Sequence, residues 1–240
     1  MSTLYLVRHG QASFGKEDYD QLSELGYQQA QVAGEYLSKI TKPIIFVSGS
    51  LKRQRQTLSE IKKGFSDADI KRAKSLELSE FNEFNHKDIL NVVYPNFREL
   101  HSEMLSSLLT CPEAFKKFQV MYKSALLKWI ENDGNFNESF DEFTQRIKLG
   151  IDKLMSLVSS NDNSSESLDE SIVLVSSAGP ISSCMQYGVD LSPKSAFLLC
   201  EEMVNTAISS LKFNDKSEAT LSYFNNFQHL IFSDSTVTYR

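Results

Sequence analysis

Residues 4–11 read LYLVRHGQ, an apolar run followed by an arginine, a histidine, a glycine and a glutamine. The four apolar residues 4–7 predict a short buried strand, which Arg8, His9 and Gly10 follow directly. In an open α/β sheet, ligands bind beyond the carboxyl ends of the strands. A charged Arg8, a titratable His9 and a glycine that lets a ligand approach the backbone are therefore suitably placed to bind an anion. A plain surface turn is the alternative reading of these three residues.

The alternation of strands and helices continues along the chain. Ser23 is placed to cap a helix that runs to about Ile40. Residues 44–47 then form a second apolar strand, and a basic helix begins near Leu51. Residues 172–175 are a further apolar strand after a long polar interval. This order predicts an α/β fold with a mostly parallel sheet and helices on both faces.

Two segments interrupt that pattern within the single domain that we predict over residues 1–240. Residues from about 88 to 131 are rich in Phe, Leu, Met and Lys, and Pro95 and Pro112 divide them. We interpret them as a helical insertion whose aromatic residues are mostly core. Residues 159–171 are almost entirely Ser, Asn, Asp and Glu, which is typical of a solvated, mobile loop.

Composition and charge exclude several classes of protein. Lys and Arg total 25 against 31 Asp and Glu, so the net charge of −6 argues against a nucleic-acid partner. Three cysteines without a C-x-x-C pair argue against a disulfide framework or a zinc site. No apolar run approaches the roughly 20 residues of a membrane span. The N-terminus lacks the basic segment of a signal peptide, so we expect a soluble, cytoplasmic protein that does not bind membranes.

A second basic cluster lies in residues 50–57, which read SLKRQRQT. It follows the second predicted strand and so belongs to the same sheet edge as Arg8. For Lys52 and Arg55 we favour a solvated helix face. Arg53 differs when it is considered with Arg8, because two guanidinium groups can hold a dianionic phosphoryl group from two sides.

Several segments together resemble one known family. VRHGQ at residues 7–11 looks like the signature of the histidine phosphatase superfamily, also called phosphoglycerate mutase-like. SLKR with Thr57 is similar to its second arginine motif, LSEF at 78–81 to the segment that supplies its acid, and VLVS at 173–176 to the strand before its second histidine. The segments occur in the family's order. The resemblance implies a phosphoglycerate mutase-like fold in which the helical insertion forms a lid.

The resemblance also implies a role for each site residue. His9 would be the nucleophile that forms a phosphohistidine, and Arg8 and Arg53 would bind the phosphoryl oxygens. Glu80 would protonate the leaving group and then activate water, with Glu83 as the less favoured alternative for this acid. Neither a metal nor another cofactor is required for this chemistry.

The chain departs from the family where Ser177 occupies the position of the second histidine. A serine donates a neutral hydrogen bond, and the loss of a charged donor can cost about 2–4 kcal/mol of transition-state stabilisation. Ser177 remains a candidate phosphate-binding residue. His86 is a candidate for contacting substrate or compensating for the missing histidine, with an ordinary surface histidine as the alternative.

These features predict a metal-independent phosphomonoester hydrolase, attenuated by Ser177, that acts on a small phosphorylated substrate or a phosphoprotein. Two alternatives stay open. One is a non-catalytic module that binds phosphate or a phosphoprotein, which the loss of the second histidine favours. The other is phosphoryl transfer of the phosphoglycerate mutase type. The retained His9 and an acid favour catalysis, because binding alone needs neither.

Overall fold

A computed structural model describes most of the chain. The described residues are 2–13, 20–97, 111–159, 170–214 and 218–239. The predicted polar loop at 159–171 lies almost wholly outside these residues. Residues 98–110 of the predicted insertion also lie outside the described residues, as do Met1 and Arg240.

In the described residues, six strands form one sheet. They are β1 (Ser2–Arg8), β2 (Ile45–Ser48), β3 (Lys74–Glu77), β4 (Glu170–Ser176), β5 (Ile208–Phe213) and β6 (Ala219–Asn226). Their order across the sheet is β3-β2-β4-β1-β5-β6. The first four strands are mutually parallel, whereas β5 and β6 are antiparallel to their neighbours. This confirms the predicted α/β fold with a mostly parallel sheet.

Nine α-helices lie in the described residues. They are α1 (Glu24–Ile40), α2 (Lys52–Lys62), α3 (Asp67–Arg72), α4 (His86–Val93), α5 (Pro112–Ile130), α6 (Phe140–Ser159), α7 (Ala178–Gly188), α8 (Pro193–Glu202) and α9 (Gln228–Phe232). A short 3-10 helix covers Ser79–Phe81. The Ser23 hydroxyl accepts the N–H of Gly26 and so caps α1, which ends at Ile40 as the sequence predicted.

The central strands are covered on both faces, because alternating side chains on both sides of them are buried. On one face, strand residues pack against apolar residues of α1 and α2; this cluster includes Val7, Phe46, Val173, Val175, Ala33, Leu37, Leu58 and Ile61. The hydrophobic contact holds the amino-terminal end of α2 at the carboxyl edge of β2. That placement brings the second basic cluster to the edge where β1 ends.

Strand register sets which residues share this edge. In the parallel ladder between β1 and β4, Arg8 lies beside Ser176, and on the other side of β4 Ser48 lies beside Val175. The residues that follow each strand, His9 and Ser177 among them, therefore leave the sheet at neighbouring points. The exposed edge strand β3 was not predicted, because its sequence KSLE lacks an apolar alternation.

The chain divides into two compact units. The first contains residues 1–83 and 146–240, with the whole sheet, and the second contains residues 84–145. The second unit is helical and has its own aromatic core, in which the Trp129 ring packs against Phe84, Phe140 and Phe143. Of these four residues, Trp129 belongs to the predicted insertion.

Candidate active site

The backbone around His9 is held from two sides. The His9 N–H donates to the Ser176 carbonyl of β4 at 2.8 Å, and the Thr206 N–H donates to the Arg8 carbonyl at 3.0 Å. Thr206 is buried and has a φ of 59°, a left-handed conformation that is unfavourable for a β-branched residue. The Asn205 amide also donates to the His9 carbonyl at 3.1 Å. Strain kept in place by several hydrogen bonds is typical of a functional site.

Gly10 has a structural role in addition to the predicted one. A Cβ at this position would lie 2.4 Å from the carbonyl oxygen of Gly26 on α1. Gly10 therefore makes room for the close approach of this helix. Its N–H donates to the Thr57 hydroxyl at 3.0 Å, and that hydroxyl donates to the Arg53 carbonyl at 2.7 Å. The two basic motifs are thus joined through Thr57.

The His9 ring is buried, and its two neighbours define its tautomer. Nδ1 lies 2.8 Å from the Gly10 carbonyl, which can only accept, so Nδ1 carries a proton. Nε2 lies 3.1 Å from the Nε–H of Arg53, which can only donate, so Nε2 presents a lone pair. The ring is therefore a neutral imidazole with its nucleophilic nitrogen beside a guanidinium group.

The electrostatic surroundings keep His9 neutral. Burial lowers the pKa of His9 well below its usual value of 6.5, and the positive charges of Arg53 and then Arg8 lower it further. The Gly10 carbonyl acts in the opposite direction but does not reverse the shift. A neutral imidazole is the form that a nucleophile requires.

We expect the His9 ring to remain neutral when the pH falls through 6.5, and to gain a proton only at considerably lower pH. An NMR titration of the ring carbon protons measures this directly. An Arg53→Gln variant is the matched control, because removing its charge should move the pKa of His9 upward. A midpoint close to 6.5 in the wild type would contradict the burial and charge effects.

Arg53 is oriented by a carboxylate that the sequence did not reveal. Its Nη1 donates to Oδ1 of Asp20 at 2.6 Å, and Oδ2 of Asp20 accepts the N–H of Lys52 at 2.9 Å. Asp20 thus caps the first turn of α2 and orients the guanidinium group of Arg53. In this orientation the Nε–H of Arg53 points to His9. Asp20 lies far from Arg53 along the chain, and no motif linked the two.

Arg8 is anchored to the carboxyl-terminal part of the first unit. Its guanidinium donates to the Met203 carbonyl and, at 3.0 Å, to the Tyr239 carbonyl. Thr238 extends this anchor, since its carbonyl accepts the Asn205 N–H at 2.8 Å and its hydroxyl donates to the Asn205 amide oxygen at 2.9 Å. Arg8 is therefore held near His9, whose pKa it lowers.

The two candidate acids occupy different surroundings. Glu80 is directed toward α6, where its Oε1 lies 3.4 Å from Nζ of Lys153. Oε2 of Glu83 instead accepts the N–H of Gly179 at 3.2 Å, in the first turn of α7 directly after Ser177. The structure thus places the Glu83 carboxylate beside the first turn of α7 and the Glu80 carboxylate beside Lys153.

The buried thiol of Cys200 is influenced by two charged residues of opposite sign. Burial raises the pKa of Cys200 to about 12, and the negative charge of Glu83 contributes to the increase. The positive charge of Arg8 acts on the same thiol in the opposite direction. Both charges are therefore close to Cys200. All three cysteines of the chain are free thiols.

Ser177 is fully buried and is the residue before α7. Its Oγ accepts a hydrogen bond from Nε2 of Gln54 at 2.9 Å. Gln54 follows Arg53 on α2 and is also fully buried. His86 is the first residue of α4, after the capping residue Asn85, and belongs to the helical unit. Its contact with substrate stays a prediction.

The described residues contain neither a metal-ligand cluster nor a membrane-spanning helix. No group of three or more His, Cys, Asp or Glu side chains there is arranged to hold a metal ion. No helix in the same part of the chain has the length and apolar character needed to cross a membrane.

Comparison with known proteins gives the family of this chain. The sequence profile of the histidine phosphatase superfamily (branch 1) matches residues 4–226, and the chain belongs to this superfamily. No curated protein matches the sequence significantly.

Solved structures share the fold at low sequence identity. A phosphoglycerate mutase from Bacillus anthracis is 16% identical, with a TM-score of 0.63 over 97% of this chain and 96% of its own. A mycobacterial glucosyl-3-phosphoglycerate phosphatase is 21% identical, with a TM-score of 0.61 over 94% and 99%. A phosphoserine phosphatase from Entamoeba histolytica is 20% identical, with a TM-score of 0.60 over 96% and 100%.

Proposed function

We propose that this protein hydrolyses phosphomonoesters through a phosphohistidine intermediate on His9, without a metal ion. The observation that carries this proposal is the state of the His9 ring. Its Nδ1 proton is engaged by the Gly10 carbonyl, and its Nε2 lone pair faces the guanidinium of Arg53. A nucleophilic nitrogen beside a bidentate cation is the arrangement that phosphoryl transfer requires.

In the first step, Nε2 of His9 attacks phosphorus and the bond from phosphorus to the ester oxygen breaks. Arg8 and Arg53 bind the non-bridging oxygens and stabilise their charge. To reach them, Arg53 exchanges its contacts with His9 and Asp20 for contacts with the phosphoryl group. The Nδ1 hydrogen bond to Gly10 stabilises the positive charge that develops on the ring.

We propose Glu83 as the proton donor in this step, in place of Glu80. In its protonated form it gives its proton to the departing oxygen. In the second step, its carboxylate takes a proton from water as the water attacks phosphorus and the nitrogen–phosphorus bond breaks. The proposal rests on the contact of Glu83 with Gly179, next to Ser177, whereas Glu80 is paired with Lys153.

The substrate that we propose is a small phosphorylated molecule. Related structures carry phosphoserine, 3-phosphoglyceric acid or inorganic phosphate. A phosphoprotein presents the same phosphoryl group and is the second candidate. The three free thiols support a reducing, cytoplasmic setting for this reaction.

A non-catalytic phosphate-binding module is the alternative function, favoured by the neutral Ser177 where the family has a histidine. It retains Arg8 and Arg53 but makes no use of the His9 tautomer or of an acid at Glu83. Phosphoryl transfer of the mutase type remains a third candidate, and Ser177 gives it no support.

The deciding experiment is hydrolysis of p-nitrophenyl phosphate by the wild type in the presence of EDTA. Mass spectrometry after an alkaline quench, which preserves phosphohistidine, follows the enzyme itself. We expect turnover that EDTA does not change, with one phosphoryl group transiently on the peptide containing His9. Phosphate binding without turnover on this or any other phosphomonoester tested would favour the binding module, and release of phosphate only to a second substrate would favour the mutase.

A further inference from the structure

Gln54 has a single defined orientation in the first unit. Its Nε2 donates to Oγ of Ser177 at 2.9 Å and to the Phe81 carbonyl at 3.2 Å, while its Oε1 lies 3.4 Å from the N–H of Leu51. A carbonyl can only accept and a backbone N–H can only donate, so the amide cannot be reversed. Its donor end therefore faces Ser177.

The neighbouring loop is shaped around this amide. A Cβ at Gly49 would lie 2.0 Å from Oε1 of Gln54 and 2.7 Å from Oδ1 of Asn82. Only glycine leaves the amide its space. Asn82 in turn accepts the Ser50 N–H at 2.7 Å and donates to the Ser50 hydroxyl at 2.7 Å. Gln54 is therefore held by Ser177 and the Phe81 carbonyl at its Nε2 end, and it fits closely against Gly49 at its Oε1 end.

The acceptors around Ser177 determine where its hydroxyl proton goes. The Phe81 carbonyl, with two lone pairs, already accepts from Nε2 of Gln54 and from Oγ of Ser176 at 2.7 Å. Oγ of Ser177 makes no capping bond to α7. Because Oγ of Ser177 accepts from Gln54, its own proton is left to donate to a different acceptor.

We infer that Gln54 is a positioning residue that makes the Ser177 hydroxyl a donor to a phosphoryl oxygen, so that this neutral pair replaces the family's second histidine. The inference rests on the proposed phosphatase function and adds a residue to it. A neutral amide and hydroxyl do not titrate between acid and neutral pH. The pair therefore supplies a donor whose strength does not change with pH, unlike an imidazolium.

The test is a double-mutant cycle with Gln54→Met and Ser177→Ala, measured as kcat and KM for p-nitrophenyl phosphate. Methionine has a similar shape but donates no hydrogen bond. We expect each single variant to lower kcat by about 10-fold to 100-fold, with a smaller change in KM. The double variant should be no slower than Ser177→Ala, because the two residues act as one donor.

Gln56→Met is the matched control on the same helix. Gln56 accepts the Leu22 N–H at 2.9 Å through its side chain and belongs to a different contact. Its effect on kcat should multiply with that of Ser177→Ala, as expected for independent residues. If the effects of Gln54→Met and Ser177→Ala also multiply, the inference is wrong.

The pH dependence of kcat in a Gln54→Glu variant distinguishes a positioning role of Gln54 from a purely structural one. As a carboxylate, the new side chain accepts the Ser177 proton and reverses the hydrogen bond, so kcat should be low at neutral pH. Once protonated, it can donate again, and kcat relative to the wild type should recover as the pH falls. A constant ratio across the pH range, or a ratio that falls further in acid, would overturn the inference.

The outcome for the wild type separates this inference from the proposed function. Absence of wild-type turnover would refute the hydrolase, and the same cycle would then be measured as the affinity for orthovanadate by calorimetry. Non-additive losses in that affinity would still support the Gln54–Ser177 pair, whereas additive losses would reject it. Normal wild-type turnover with additive losses in kcat would reject the pair alone.

Discussion

A His9→Ala variant is expected to lose at least about 10⁴-fold in kcat, the largest effect that we predict. The nucleophile forms the bond to phosphorus. A water molecule in the place of the ring would be a much weaker nucleophile than the imidazole nitrogen. Hydrolysis of p-nitrophenyl phosphate in EDTA measures the loss, and the phosphorylated enzyme should disappear with it. Arg8 and Arg53 remain, so the variant should still bind inorganic phosphate in calorimetry.

His86→Ala provides the matched control for removing a histidine. If His86 contacts substrate, its loss costs about one hydrogen bond, or roughly tenfold in rate. If it is an ordinary surface residue, its loss changes almost nothing. Substantial turnover in His9→Ala, together with a severe loss in His86→Ala, would contradict the assignment of His9 as nucleophile. Thermal melting of both variants excludes unfolding as the cause.

The second large effect is expected for Glu83→Gln, with a decrease of about 10²-fold to 10⁴-fold in kcat on an alkyl phosphate. Glutamine keeps the size of the side chain and can still accept the Gly179 N–H, but it cannot give up a proton as an acid. The decrease should be smaller on p-nitrophenyl phosphate, because its leaving group needs less protonation. The dependence on leaving group identifies a general acid.

Glu80→Gln is the matched control for Glu83→Gln, because it makes the same chemical change three residues earlier. The contact between Glu80 and Lys153 is partly exposed, with 29% of the Glu80 side chain accessible. An ion pair of that kind contributes little, so kcat should stay within about threefold of the wild type. A severe, leaving-group-dependent loss in Glu80→Gln, with Glu83→Gln nearly normal, would restore the interpretation made from the sequence.

Much of the fold could be predicted because it depends on short-range patterns. The apolar residues 4–7 and the run at 172–175 indicated buried strands, and Ser23 indicated the start of α1. Parallel strands place their carboxyl ends at one edge, so the proximity of His9 and Arg53 also followed from the order of elements. The edge strand β3 was missed because its exposed residues carry no apolar periodicity.

The directions of the Glu80 and Glu83 side chains could not be predicted from the sequence. Both residues belong to an irregular segment around a 3-10 turn, where no helical or strand period defines the direction of a side chain. The direction follows from contacts with residues far along the chain. Asn82 is bound to Ser50, Glu80 faces Lys153 on α6, and Glu83 meets the first turn of α7.

The class of fold could be predicted from the sequence, because it depends on local periodicity and on the order of strands and helices. The neighbours of His9 and Ser177 became known only from the folded chain. A tautomer is defined by the atoms that face each ring nitrogen, here Gly10 and Arg53. Similarly, Gln54 lies among basic residues in the sequence, and only the packing of α2 against the sheet buries it beside Ser177.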